Sequence, residues 1–89
     1  MIHAELWSAG KFDDAYFNTP EEVVEWAKGR SHSYNLVIDT RPEDEAKGIF
    51  LTILIRDSNR THFYDPDTYK EMSVEKVLSW IDRWADRDR

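Results

Sequence analysis

The sequence predicts an α+β fold in which an antiparallel sheet of four or five strands carries two helices on one face, in the order ββαβββα. Two observations support this prediction: short segments in which apolar and polar residues alternate, and two segments whose apolar residues recur at helical spacing behind a capping residue. At 89 residues the chain is long enough for one core only. Residues 1–89 are therefore expected to form a single compact domain.

The first two predicted strands form a hairpin. In IHAELW, residues 2–7, apolar residues alternate with polar ones and Trp7, as expected of a strand with one buried face. SAGK then provides a turn at Gly10, and KFDDAYFN, residues 11–18, forms the returning strand. The adjacent Asp13 and Asp14 in this second strand indicate either a bulge or an edge of the sheet.

The first helix has a strong start signal in TPEE, residues 19–22. Thr19 is the expected N-cap, proline occupies the first helical position, and Glu22 completes a capping box. Gly29 is the expected end of the helix. Helical spacing separates an apolar face from an acidic face. The acidic residues are Glu21, Glu22 and Glu25, with Trp26 at the border between the faces.

Three more strands and a second helix are predicted in the remaining chain. YNLVIDT, residues 34–40, alternates, whereas GIFLTILIR, residues 48–56, is apolar on both faces and is the expected central strand. RTHFYD, residues 60–65, returns antiparallel after a tight turn. FYDPDTYK, residues 63–70, is then a strand end and a turn. A helix follows the Ser73 cap, with one apolar stripe formed by Val74, Val77, Leu78, Ile81 and Ala85.

Composition limits the classes of function. With 18 acidic and 12 basic residues the net charge is −6, which disfavours direct binding of nucleic acid or anionic lipid and favours a basic partner surface. The chain has no cysteine, which excludes disulfides and thiol chemistry and fits a reducing cytoplasm. Its longest apolar run, residues 49–55, is far shorter than the roughly 20 residues of a membrane helix. A soluble, unprocessed cytoplasmic protein is expected.

Local patterns for catalysis or metal binding are not found in the sequence. His3, His32 and His62 lack local zinc spacing, although a site assembled by folding stays open because His3 and His62 both lie on predicted strands. A calcium loop at residues 65–76 fails because Lys70 and Lys76 occupy its glycine and glutamate positions. We therefore predict no catalytic, cofactor-binding or metal-binding residues and no enzymatic activity.

The predicted binding surface is acidic and aromatic. Aromatic side chains beside charges are typical of protein interfaces, and acidic complementarity selects basic partners. The expected contact residues are Asp13, Asp14, Glu21, Glu22, Glu25, Trp26, Glu43, Asp44, Glu45, Tyr64 and Tyr69. The leading hypothesis is a non-enzymatic protein that presents these residues to a basic surface, such as that of a nuclease. The alternatives are an assembly module that forms a homodimer and, third, a small metal-dependent enzyme.

FNTPEEVVEWA followed by apolar strands, and FYDPDTY leading into a terminal helix, occur here in an acidic chain without cysteine. In these features the chain resembles, as a class, the small acidic inhibitors made by phages and bacteria, namely anti-CRISPR proteins and toxin-immunity proteins. The resemblance implies an inhibitor that covers the basic surface of a nuclease or of a CRISPR effector, without cofactors and without direct contact to nucleic acid.

Overall fold

The computed structural model describes residues 1–30, 33–40, 49–57, 60–65 and 67–87, with the backbone alone described at 49–57 and at Arg60. The chain has the predicted α+β class, with two helices and antiparallel strands. The elements in chain order are β1 (Ile2–Ser8), β2 (Lys11–Phe17), α1 (Pro20–Lys28), β3 (Tyr34–Ile38), β4 (Ile49–Asp57), β5 (Arg60–Tyr64), β6 (Glu71–Met72) and α2 (Val74–Trp84).

The described strands form one sheet in the order β2-β1-β3-β4-β5-β6, with every neighbouring pair antiparallel. The predicted number of four or five strands is therefore wrong, and so is the predicted element order, because six strands are present and β6 precedes the last helix. A strand of two residues is too short to show an alternating pattern. The β4 strand lies inside the sheet, as its apolar sequence predicts.

The predicted β1–β2 hairpin is confirmed. Gly10 in its turn has a φ of +74°, a left-handed conformation that costs glycine little. The two strands pair without a break from Ile2 opposite Phe17 to Ser8 opposite Lys11. Asp13 and Asp14 were expected to mark either a sheet edge or a bulge. The edge is confirmed, because β2 is the outermost described strand on its side of the sheet, and the unbroken pairing with β1 shows no bulge.

The predicted ends of α1 are also confirmed. Thr19 Oγ1 accepts a hydrogen bond from the Glu22 backbone N–H at 3.3 Å, and a Glu22 carboxylate oxygen accepts one from the Thr19 backbone N–H at 3.1 Å. This is the reciprocal capping box that the sequence predicts. Gly29 is the C-cap, and its N–H donates to the carbonyl of Trp26. The helix is fixed by local contacts at both ends.

One face of the sheet packs against both helices. Alternate residues of β1 and β3 point to that face, and they form a single core with the apolar faces of α1 and α2. The largest fully buried side chains of this core are Ile2, Leu6, Leu36, Ile38, Phe63, Val23, Val77 and Ile81. Neither described helix is long and apolar enough to cross a membrane.

Helix α2 begins at the predicted Ser73 cap, whose Oγ accepts from the Lys76 N–H at 3.2 Å. Val77 and Ile81 are buried as the apolar stripe predicts, but Val74, in the first turn, is 38% exposed. After the helix, Ala85 pairs with Thr40, and the Asp86 N–H donates to the carbonyl of Asp39 at 2.9 Å. The C-terminal segment therefore runs beside the end of β3.

The turn predicted in FYDPDTYK connects β5 to β6. Asp65 Oδ1 accepts hydrogen bonds from the backbone N–H groups of Asp67 and Thr68, and the Asp65 N–H donates to the Lys70 carbonyl at 2.9 Å. These contacts make an Asx turn that closes the hairpin. Tyr69 takes a φ of 58°, which is uncommon for a residue with a large side chain.

Candidate functional site

The sheet face opposite the helices carries the candidate site. Six of its described polar and aromatic side chains lie on β1 and β2, where each β1 residue pairs with a β2 residue that points the same way. We call this surface the open face. Its members on these two strands are His3, Glu5, Trp7, Phe12, Asp14 and Tyr16. Asp39, which follows β3, joins them because β3 pairs with β1 on its other side.

A histidine bridged by two carboxylates lies at the centre of the open face. His3 Nδ1 is 2.7 Å from Asp39 Oδ2, and His3 Nε2 is 2.8 Å from Asp14 Oδ2. Because carboxylates only accept hydrogen bonds, both ring nitrogens act as donors when the imidazole is protonated. The ring also stacks on Tyr16, with centroids 4.5 Å apart and planes 13° from parallel. Carboxylates and an aromatic ring thus fix its orientation.

Glu5 adds a third carboxyl group to this cluster. His3, Glu5 and Asp39 each offer a ligand atom, and these atoms all lie within 4.8 Å of one another. The Asp39 backbone is held on both sides, because its N–H donates to the His3 carbonyl at 3.1 Å and its carbonyl accepts from Asp86. We call His3, Glu5, Asp14 and Asp39 the His3 cluster. It concentrates negative charge around one imidazole.

The His3 cluster changes the acidity of two of its members. Burial alone lowers the pKa of His3, but hydrogen bonds to Asp39 and Asp14 outweigh it and raise the pKa above the ordinary 6.5. Burial also raises the pKa of Glu5 above 4.5, and the neighbouring Asp39 carboxyl raises it further. Both shifts favour the protonated form. His3 and Glu5 therefore keep their protons to a higher pH than the isolated groups would.

Three exposed aromatic rings flank the cluster on the open face. Trp7 is 46% exposed, and Phe12 and Tyr16 are each 51% exposed. Trp7 and Phe12 are cross-strand partners with ring centroids 4.4 Å apart, and Tyr16 is the partner of His3. These rings lie away from the core, which occupies the opposite face. The surface is therefore both aromatic and acidic.

The acidic residues predicted on α1 lie on the helix side of the sheet. Glu21, Glu22 and Glu25 are exposed as expected. Two of them already have local partners: Glu22 in the capping box and Glu25 with Lys28 at 3.5 Å. Trp26 is half-buried, and its ring centroid lies 5.2 Å from that of Phe17. The Arg30 guanidinium carbon lies 4.8 Å from the centroid of the Trp26 ring. Trp26 thus completes the packing beneath α1.

The remaining predicted contact residues are dispersed. Asp13 lies on the helix side and pairs with Arg30 at 2.7 Å, whereas Asp14 lies on the open face with His3. Tyr64 lies on the open face beside its cross-strand partner Glu71, is half-buried and has its ring 6.3 Å from that of His62, whereas Tyr69 is 81% exposed in the β5–β6 turn. The acidic segment Glu43, Asp44 and Glu45 lies outside the described residues.

The sequence prediction missed most of the open face. His3, Glu5, Phe12, Tyr16 and Asp39 were not among the expected contact residues. One signal was present, because the alternation in IHAELW places residues 3, 5 and 7 together on the face opposite the core. The approach of Asp39 to His3 depends on the pairing of β3 with β1, which local sequence does not specify.

Comparisons of the chain with protein-family models, with curated proteins and with solved structures found no match.

Proposed function

We propose that the chain is a non-enzymatic protein that binds, through its open face, a basic surface of a partner protein and blocks it. A nuclease or a CRISPR effector is the class of partner proposed. The observation that supports this function is the half-exposed set of Trp7, Phe12 and Tyr16, interleaved with carboxylates on a sheet face that no described helix covers.

Aromatic residues of this kind are suited to an interface. Trp and Tyr bury a large area when they bind, and they are enriched among the residues that dominate binding energy. Trp7 and Phe12 hold each other through a cross-strand contact, so binding would order few additional side-chain rotations. The core does not require their exposed surface, because it lies on the other face.

The charge of the open face supports a basic partner. Its described strand side chains include the carboxylates of Glu5, Asp14 and Glu71. The chain as a whole carries −6. Such complementarity speeds encounter with a positive surface and excludes acidic partners. A partner's Arg side chain could also stack on the exposed aromatic rings.

The acidic face of α1 is a second surface of the same sign, but it is separate. Glu21 and Glu25 lie on the helix side, and the half-buried Trp26 beside them packs against Phe17 and Arg30. A rigid partner surface cannot contact both sides of the sheet at once. The two surfaces therefore give different predictions for the same binding measurement, and the open face is the one proposed here.

A homodimer is the second candidate, and the position of β2 favours it. β2 is a seven-residue edge strand, so a second copy could pair with its outer side. Asp13 and Asp14 would then bring like charges together, which opposes such pairing. Size-exclusion chromatography at low and high salt separates the two candidates. A dimer that persists at both salt concentrations would favour assembly into a homodimer over the proposed binding of a basic partner.

The test of the proposed function is an affinity pull-down from host extract, followed by purification of the captured protein and measurement of its dissociation constant. We expect a basic partner whose binding weakens with added salt and falls at least about tenfold with Trp7→Ala/Phe12→Ala. Glu21→Ala/Glu25→Ala is the control on α1, and it should retain most of the affinity. Equal binding by wild type and the aromatic variant, with both folded by circular dichroism, would contradict the open face.

A further inference from the structure

His3, Glu5 and Asp39 have the geometry of a metal site. Residues 3 and 5 point to the same side of β1, and the pairing of Ala4 with Ile38 brings Asp39 beside His3. Their ligand atoms lie within 4.8 Å of one another. Ligands of a tetrahedral zinc ion, each about 2.0–2.2 Å from the metal, are themselves separated by about 3.3–3.6 Å. His3 Nδ1 and Asp39 Oδ2, which are 2.7 Å apart, would separate by about 0.6–0.9 Å to share such an ion.

We propose that His3, Glu5 and Asp39 bind a divalent first-row transition-metal ion of the Zn²⁺ type. One imidazole and two carboxylates form a donor set that Zn²⁺ accepts, whereas an imidazole ligand is not characteristic of Mg²⁺ or Ca²⁺ sites. Three protein ligands leave a fourth position toward solvent on the open face. This inference goes beyond the proposed function and does not depend on it.

Asp14, the remaining member of the His3 cluster, supports the His3 ring from its other nitrogen. Its Oδ2 lies 2.8 Å from His3 Nε2, on the opposite side of the ring from Asp39. When histidine binds a metal through one nitrogen, a carboxylate on the other nitrogen commonly fixes the tautomer and the orientation of the ring. Asp14 is placed to do this, with Asp39 and the ion on the Nδ1 side. Asp14 is therefore a positioning residue in the proposed site.

The site is also held in place before any ion binds. Tyr16 stacks on the imidazole, and the Asp39 backbone hydrogen-bonds to the His3 carbonyl and to the Asp86 N–H. The His3 and Asp39 side chains are 14% and 20% exposed. An ion at this depth is partly shielded from water but can still enter from the open face. Its charge would offset the three carboxylates that surround one histidine.

His62 provides a matched control within the same sheet. His62 Nδ1 lies 2.7 Å from Glu71 Oε1, a distance equal to that between His3 Nδ1 and Asp39 Oδ2. Within the part of the chain that the structure describes, the group of His3, Glu5 and Asp39 is the one with three ligands close enough to share an ion. His62 therefore tests what a single histidine–carboxylate pair binds.

The experiment titrates Zn²⁺ into the EDTA-treated, buffer-exchanged full chain in competition with a chromophoric chelator. We expect saturable binding of one ion per chain, an affinity loss of at least about tenfold in His3→Gln and in Asp39→Asn, and wild-type affinity in His62→Gln. Zn²⁺ should also raise the unfolding midpoint of wild type and His62→Gln, and have little effect on His3→Gln. Co²⁺ should give visible absorption bands that vanish in His3→Gln.

Absence of saturable Zn²⁺ binding by the folded wild-type chain would overturn the site. Equal loss of affinity in His62→Gln and His3→Gln would also overturn it, because the metal would then bind surface histidines without a defined site. Circular dichroism of each metal-free variant establishes that it is folded before titration. The measurement uses the chain without any partner, so its failure leaves the proposed protein-binding function standing, and failure of the partner test leaves the metal site standing.

Discussion

The two faces of β1 have opposite characters although they alternate along one seven-residue strand. Ile2, Ala4 and Leu6 are completely buried against the helices, whereas His3, Glu5 and Trp7 form part of the open face. Because successive side chains of a strand point to opposite faces, neighbouring residues contribute to different properties. The core face holds the buried apolar side chains, and the open face carries the surface that we propose for binding. Substitutions one position apart should therefore have different effects.

The largest expected effect is that of Leu6→Ala on the core face. Leu6 is 0% exposed in the centre of the core, so its truncation should lower the free energy of unfolding by about 2–5 kcal/mol. Trp7→Ala, one residue further on, removes a larger side chain that is 46% exposed, and should cost about 1 kcal/mol or less. Urea denaturation monitored by circular dichroism measures both values. Equal losses would contradict the assignment of the two faces.

A smaller effect is expected from pH, through His3 on the open face. The pKa of His3 is raised in the folded state, so its contribution to stability is fully present below 6.5 and is lost as pH rises through the folded value. The pKa of Glu5 is also raised in the folded state, so Glu5 likewise lowers stability as the pH rises from 4.5 through its folded pKa. The groups that face His3 are Glu5, Asp14, Tyr16 and Asp39. We expect the metal-free protein to lose stability between pH 6.5 and the folded pKa of His3.

This pH effect is measured as the unfolding midpoint in urea at a series of pH values, with EDTA present throughout. His3→Gln should flatten the decline above pH 6.5, because the glutamine side chain does not titrate. His62→Gln is the control and should retain the decline, since it leaves the His3 cluster intact. A decline of equal size in wild type and His3→Gln would show that another group is responsible.

The parts of the fold that sequence predicts well are those set by local contacts. The ends of α1 follow from Thr19, Glu22 and Gly29, which interact within a few residues of one another. The β1–β2 hairpin likewise needs only alternation and Gly10. Strand β6 was missed because Glu71 and Met72 are too few to show a period, and their pairing with β5 is a property of the folded sheet.

The candidate site depends on contacts that are distant in the chain. His3 and Asp39 are separated by 36 residues, and they meet because β1 lies between β2 and β3. Alternation identifies which residues share a face within a strand, but it does not give the order of the strands. Asp13 and Asp14 show what alternation alone could have predicted: adjacent strand residues point to opposite faces, so they cannot belong to one surface.

The smallest expected effects come from these two aspartates, and they provide a matched comparison of the two faces. Asp13→Asn removes a half-exposed ion pair with Arg30 on the helix side and should cost about 0.2–1 kcal/mol of stability. It should change neither the pKa of His3 nor the affinity for Zn²⁺.

Asp14→Asn removes a charged acceptor from His3 Nε2, so the pKa of His3 should fall, and the affinity for Zn²⁺ should fall about tenfold or more. NMR titration of the His3 ring and chelator competition measure these changes. The substitution is chemically identical at adjacent positions, so loss of charge alone cannot account for a difference between the variants. If Asp13→Asn lowered the pKa of His3 as much as Asp14→Asn did, the two faces of β2 would not be electrostatically separate. The assignment of Asp13 and Asp14 to opposite faces would then be contradicted.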